Sequence, residues 1–158
     1  MFGALAVLPG AAQCGDERLE CIASGVGAPG VGGPARFLAE TYGCRVTGVD
    51  LSDSFVEAAR YLTARTGQSE RISFQTANAL NLPFDDSTFE VVLLQHVAMN
   101  IADRPGLYKE IRRVLTSGGR FATFDVVLNN ADPHYPVPWA RTPATSFLLT
   151  APDRKSVV

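Results

Sequence analysis

"GVGGPARFLAETYGCRVTGVD", residues 30–50, runs from a glycine turn through a helix into a short strand that ends on an acid. Pro34 suits the first position of a helix, where its missing N–H would have had no partner and its fixed φ is already helical. Gly43 stops that helix, because a glycine takes the left-handed conformation of a helix terminus without steric cost. "CRVTGVD" then reads as a β-rich run closed by Asp50. Glycine turn, helix, strand and terminal carboxylate in this order form the front half of a parallel α/β unit.

The glycines upstream offer two overlapping loops. Gly25-Val26-Gly27-Ala28-Pro29-Gly30 is literally G-x-G-x-x-G, but Pro29 stands where the loop should be entering its helix. Gly30-Val31-Gly32-Gly33-Pro34 leads directly into the helix that Pro34 starts, so Gly30 and Gly32 are the expected pair for close backbone approach to a ligand. Asp50 lies twenty positions beyond Gly30, the spacing at which a carboxylate accepts both ribose hydroxyls of an adenosine. A glycine-rich turn without a ligand is the plain alternative. Asp50 has one too, as a cap for the next helix, although Ser52, Asp53 and Ser54 can fill that role.

Downstream, strands and helices keep alternating. "SFVEAARYLTARTG" (54–67) puts Phe55, Ala59 and Leu62 on one helical face, with Ser54 and Glu57 at capping-box spacing and Gly67 as its stop. "RISFQTA" (71–77) is a strand, and "EVVLLQHV" (90–97) is the near-continuous apolar run of a strand buried on both faces. "PGLYKEIRRVL" (105–115) is a helix with Leu107, Ile111 and Val114 inward and Lys109, Glu110 and Arg113 outward. "TSGG" turns the chain, and "RFATFDVVL" (120–128) is the last clear strand. The expected fold is α/β: a Rossmann-like, doubly wound, mostly parallel sheet.

Composition narrows the function. The chain has 158 residues, 46% hydrophobic and 19% charged, which suits one globular domain. A net charge of −2 leaves no basic footprint for nucleic acid. No stretch is long enough to span a bilayer, and membrane is not an expected partner. Cys14, Cys21 and Cys44 show no C-x-x-C spacing, so no metal site is expected and reduced thiols in the cytoplasm fit better. "MFGALAVLPGAAQC" (1–14) lacks the basic start of a secretion signal.

"NAL" (78–80) after a strand, the loop "LPFDDSTFE" (82–90) and a helix ending "RVL-x-x-GG" (113–119) resemble the class I methyltransferases that use S-adenosylmethionine, and the match runs from about Gly30 to Thr150. Within that superfamily "QHVAMNI-x-D" (95–103) and "PHYPVPWA" (133–140) are most similar to the sarcosine and dimethylglycine methyltransferase type. The resemblance implies methyl transfer to a small-molecule acceptor, an amine of that kind being the expectation. By the same resemblance Gly30 and Gly32 flank the methionine end of the cofactor, Asp50 binds its ribose, Asn78 and Ala79 lie against the adenine, and Gln95 lies under the sulfonium and the methionyl amine. His96 is the candidate that takes a proton from the acceptor, with a structural role as its alternative. Asn100 and Asp125 are within possible reach of a substrate or are turn residues. His134, Tyr135 and Trp139 wall a pocket or simply pack a surface loop.

The sequence also departs from that family. The acid that usually closes its first strand is missing in either glycine register, and "ECIAS" (21–24 and its preceding Glu20) is a poor strand, so the first-strand region reads as degraded. The family's last two strands have no room, leaving an incomplete sheet. Residues 1–20 are poorly assignable, 21–150 are read as a partial methyltransferase domain, and 151–158 as a tail outside the family. Its "DRKSVV" matches one translated frame of a common sequencing adapter. Three functions stay open: a methyltransferase, an inactive methyltransferase remnant, and an NAD-binding Rossmann protein. Oligomeric state is not legible.

Overall fold

The computed structural model describes residues 20–25, 31–129 and 131–150. The elements are β1 (Glu20–Gly25), α1 (Gly33–Tyr42), β2 (Arg45–Asp50), α2 (Asp53–Arg65), β3 (Ile72–Thr76), β4 (Phe89–Gln95), α3 (Arg104–Val114) and β5 (Leu115–Phe124), with short 3₁₀ turns at Ala98–Asn100 and Pro143–Thr145. The strands form one sheet in the order β3-β2-β1-β4-β5, and every neighbouring pair is parallel. The chain winds outward from β1 through α1 and α2, returns across the sheet to β4, and winds the other way through α3. This is the doubly wound, Rossmann-like arrangement. Its order reverses between β1 and β4, and ligands of such sheets bind outside the carboxyl ends at that point.

Two hydrophobic clusters cover the two faces. Val46 of β2 packs with Ala35 and Ala39 of α1, Val56 and Ala59 of α2, and Ile72 and Phe74 of β3. Val49, an odd number of residues further along the same strand, joins Phe89, Val92, Leu94, Leu107, Ile111 and Val114 on the α3 side. Alternation along an extended strand sends those two valines to opposite faces. β2 is therefore covered on both sides.

α1 forms as the sequence reads, with Pro34 in its first turn and Gly43 at φ 69° donating its N–H to the Ala39 carbonyl at 3.0 Å. α2 is rotated from the expected face. Its buried residues are Val56, Ala59 and Thr63, while Phe55 and Leu62 lie on an exposed flank. Thr63 is tolerated inside because its hydroxyl accepts from Arg36 Nη1 at 3.3 Å. The expected capping box is also absent: the N-cap is Ser52, without a side-chain cap, and Gly67 at φ 70° closes the far end.

β1 corrects the weak-strand expectation for "ECIAS". Its backbone lies in the middle of the sheet, with Cys21 paired to Val46 on one side and Val91 on the other. Two flanking ladders impose the extended conformation that local propensity does not favour.

No helix bridges β3 and β4 among the described residues. The connecting loop is held by Arg113, which donates to the carbonyls of Phe84 (2.8 Å) and Leu82 (3.0 Å) and pairs with Glu110 (2.7 Å) and Asp86 (2.8 Å). Glu110 in turn accepts the Leu82 N–H at 2.7 Å. These two side chains, expected to face outward, are turned onto the loop. "TSGG" loops out of the β4–β5 ladder between Leu115 and Arg120, with Gly118 at φ 79°. β5 ends at Phe124, short of the expected Leu128, whose N–H instead meets the Leu149 carbonyl at 2.9 Å.

Leu107 has no exposed surface, so Leu107→Ala should destabilise the fold by about 3 kcal/mol, the usual cost of a buried leucine cavity. Tyr61→Ala, at a residue 65% exposed, should change stability by less than about 0.5 kcal/mol. Urea unfolding followed by circular dichroism distinguishes the two.

Candidate active site

The sheet register brings the sequence-predicted residues to one edge. Gly25 ends β1 opposite Gln95, Asp50 ends β2 opposite Thr76, and Gln95 stands opposite Phe124 of β5. Asn78 and Ala79 follow the end of β3, His96 follows β4, and Asp125 follows β5. The reach from Asn78, after β3, to Asp125, after β5, thus spans the whole carboxyl edge. Gly30 lies outside the described residues.

Asp50 is the most informative side chain. It is 9% exposed, and its Oδ1 accepts the Ser52 N–H at 2.8 Å. Its Oδ2 is buried without a partner. The sequence offered two roles, turn and ligand, and the carboxylate divides between them: one oxygen tightens the turn into α2, the other is spare. Burial raises its pKa above the ordinary 3.8, partly opposed by the amides of Ser52 and Leu51. A buried acceptor without a donor among the described residues costs free energy, which a donor from a ligand would relieve.

Gln95 repeats the pattern, with Oε1 buried and unpartnered at the end of β4. Gly32 is the N-cap of α1 at φ 82°, and a Cβ there would come within 2.6 Å of the Phe74 ring. Glycine is thus required at this position by turn and packing as well as by any ligand, whereas a Cβ on Gly33 would meet nothing within 4 Å. Asn78 is exposed and its Oδ1 takes the Leu80 N–H at 2.9 Å, leaving one lone pair to offer. Ala79 is half-buried against the α3-side core.

His96 adopts φ 53°, a left-handed conformation rare for a residue with a side chain. Its N–H bonds the Phe124 carbonyl at 2.8 Å and its ring stands edge-on to Phe124 at 4.9 Å. That strain at the end of β4 is the kind held at functional positions. Asp125 is committed elsewhere: Oδ2 accepts from the Met99 N–H (2.8 Å), Oδ1 from the Val126 N–H (3.0 Å), and Arg104 Nη1 lies 4.0 Å away. Burial nevertheless raises its pKa. Asn100 gives its amide to the carbonyls of Trp139 (3.0 Å) and Thr145 (2.8 Å), and Trp139 Nε1 donates to Ser146 at 3.1 Å. Arg104, 5% exposed, is a member of this group that sequence reasoning missed. A charged residue in a helix's first turn reads as surface, and only its remote acceptors reveal otherwise. Among the described residues no cluster of His, Cys, Asp and Glu could hold a metal, and no helix is long and apolar enough to cross a membrane.

A doubly wound parallel sheet whose strand order reverses between β1 and β4 defines a Rossmann-like domain, with its ligand-binding edge at the carboxyl ends of the strands. The methyltransferase domain family matches residues 26–130, and the chain belongs to that family. It is similar to sterol 24-C-methyltransferase of Eremothecium gossypii, 34% identical over 99 residues, covering 63% of this chain and 26% of that one. Among solved structures, a geranyl diphosphate methyltransferase in complex with SAM superposes with a TM-score of 0.63 at 25% identity, over 68% of this chain and 42% of the other. A Galdieria sulphuraria protein described as a sarcosine dimethylglycine methyltransferase gives 0.65 at 21% identity, over 69% and 40%, and shows the fold alone. The chain thus spans about a quarter of the sterol enzyme's length and about two fifths of each of these solved chains.

The two buried aspartates should respond oppositely to amidation. Because the folded chain raises the Asp50 pKa, its ionised form costs stability, and that cost sets in as pH rises from 3.8 through the raised value. Asp50→Asn should therefore stabilise the fold near neutral pH by about 1 kcal/mol. Asp125→Asn relieves a pKa that burial raises too, but sets an amide N–H against the Met99 or Val126 N–H. That clash outweighs the relief and should destabilise the fold by about 1–3 kcal/mol. Thermal unfolding of both variants reads the two signs.

Proposed function

We propose that the chain binds S-adenosylmethionine through Asp50 and transfers its methyl group to a small-molecule acceptor, within a domain over residues 21–150. The observation that carries the reading is the buried, partnerless Oδ2 of Asp50 at the end of β2. A ribose supplies the hydroxyl donors that oxygen needs. Gln95 Oε1, equally in want of a donor, suits the methionyl ammonium. Asn78 offers its remaining lone pair to the adenine amine, and the half-buried Ala79 gives the ring an apolar support. Gly30 and Gly32 belong to the loop that admits the methionine arm.

The sulfonium supplies a methyl group that is already activated, so alignment of the acceptor provides most of the acceleration. Asp50 and Gln95 fix the two ends of the cofactor. His96, at the strained end of β4, takes the proton that the acceptor sheds. We take the protein to be cytoplasmic. An amine such as sarcosine or dimethylglycine is the acceptor supported by the "QHVAMNI" and "PHYPVPWA" stretches. The similar proteins named above, for sterol and geranyl diphosphate, extend the acceptor panel to molecules with a large hydrocarbon part.

One observation favours NAD instead: Gly25 stands at the carboxyl end of β1, where a dinucleotide fingerprint begins. Membership of the methyltransferase family weighs against it. Calorimetry separates the readings. S-adenosylmethionine should bind, and Asp50→Ala should weaken it about 10- to 100-fold, the effect of losing hydrogen bonds to a charged acceptor. Binding of NAD alone supports the second reading, and silence toward both identifies an inactive remnant. The affinity should also fall on acidification at a pH above that of an ordinary aspartate, because protonation removes the acceptor. Asp50→Asn should abolish that dependence.

A further inference from the structure

We infer that Arg104 is a positioning residue, one that pins residues 131–150 as a strap over the acceptor side of the crevice. This rests on the proposed methyl transfer for its functional meaning, but not for its geometry. The strap leaves the end of β5 and returns to Leu128, where the Leu128 N–H meets the Leu149 carbonyl at 2.9 Å. Between those points it crosses the segment that follows β4. The cofactor is assigned to Asp50 at the β2 end and Gln95 at the β4 end of the carboxyl edge, so the segment that follows β4 and the β5 end are left for the acceptor.

A closed ring of interactions holds the crossing. Asp125 accepts the Met99 N–H at 2.8 Å; the Met99 carbonyl accepts the Phe147 N–H at 2.7 Å. The Phe147 carbonyl accepts from Arg104 Nη2 at 3.0 Å, and Arg104 Nη1 closes the ring at 4.0 Å from Asp125. Arg104 Nε also donates to the Ile101 carbonyl at 3.1 Å. The planar guanidinium addresses three acceptors in fixed directions, which a lysine cannot do. Both charged side chains are nearly closed to solvent, at 6% and 3% exposure, so the ring is not a screened surface pair. Asn100 makes a second attachment, to the Trp139 and Thr145 carbonyls. Met99 and Asn100 follow His96 within a few residues, so the ring couples the strap to the candidate proton acceptor.

The strap carries its own reporter, since Trp139 is the only tryptophan in the chain. Its fluorescence quenching by acrylamide, measured in the intact chain, reads strap docking without any acceptor. Arg104→Gln should raise the quenching constant at least about twofold, with Arg104→Lys between it and wild type, because lysine restores the charge but not the fork. Affinity for S-adenosylhomocysteine should stay within about twofold, because the ribose end is untouched. Asn100→Ala detaches the strap without stranding a buried charge and covers the case in which Arg104→Gln does not fold; it too should expose Trp139. Unchanged quenching in a folded Arg104→Gln chain, or in Asn100→Ala where the first does not fold, overturns the inference. So does a loss of S-adenosylhomocysteine affinity that matches the loss of docking. Failure of the wild type to bind S-adenosylhomocysteine overturns the methyltransferase reading instead, and leaves the quenching result to decide the strap.

Discussion

Asp50 holds one carboxylate oxygen on the Ser52 amide and keeps the other out of water with nothing among the described residues to meet it. A fold that gains only a few kcal/mol in total does not retain such a group for stability. The position is fixed from several sides. β2 is covered on both faces, the Asp50 carbonyl accepts the Ala77 N–H at 2.9 Å, and Asp53 at the start of α2 accepts from Thr76. Swinging the carboxylate out to water would break its bond from the Ser52 N–H. It waits in the conformation that a ligand's hydroxyls require, which is the economy of a pre-organised site.

The remainder of the edge divides into two kinds of polar group. Asp50 and Gln95 have acceptors unmet among the described residues and flank Gly25 at the end of β1, beside which the strand order reverses. Asp125 and Arg104 are occupied with each other and with backbone, and the Asn100 amide N–H groups with the Trp139 and Thr145 carbonyls. Asn100 Oδ1 is itself buried without a partner among the described residues, and all three residues stand toward β5. The first pair is suited to holding a ligand. The second set is suited to holding the chain around one. Both depend on the same parallel register, because a shift of one residue in β4 would turn Gln95 to the other face.

Much of this was legible in the sequence. Pro34, Gly43 and Gly67 mark helix ends through backbone conformation, which is local and therefore readable. The spacing from the glycines to Asp50 survives because α1 and β2 have ordinary lengths. The face of α2 was not legible: Phe55 and Leu62 are as apolar as Val56 and Ala59, and only the position of the sheet and the bond from Arg36 to Thr63 choose between them. β1 was underrated because its conformation is imposed by its neighbours on both sides. Arg113 was read as a surface charge and Arg104 was not singled out, because their acceptors are carbonyls far away in the chain and no local pattern announces them.

A crystal structure of the chain grown with S-adenosylhomocysteine tests the central claim most directly. The account requires both ribose hydroxyls within about 3 Å of the Asp50 carboxylate, with Oδ2 accepting at least one, and the amino group of the ligand near Gln95 Oε1. A ribose bound elsewhere on the carboxyl edge, with Asp50 Oδ2 still unpaired, would contradict it.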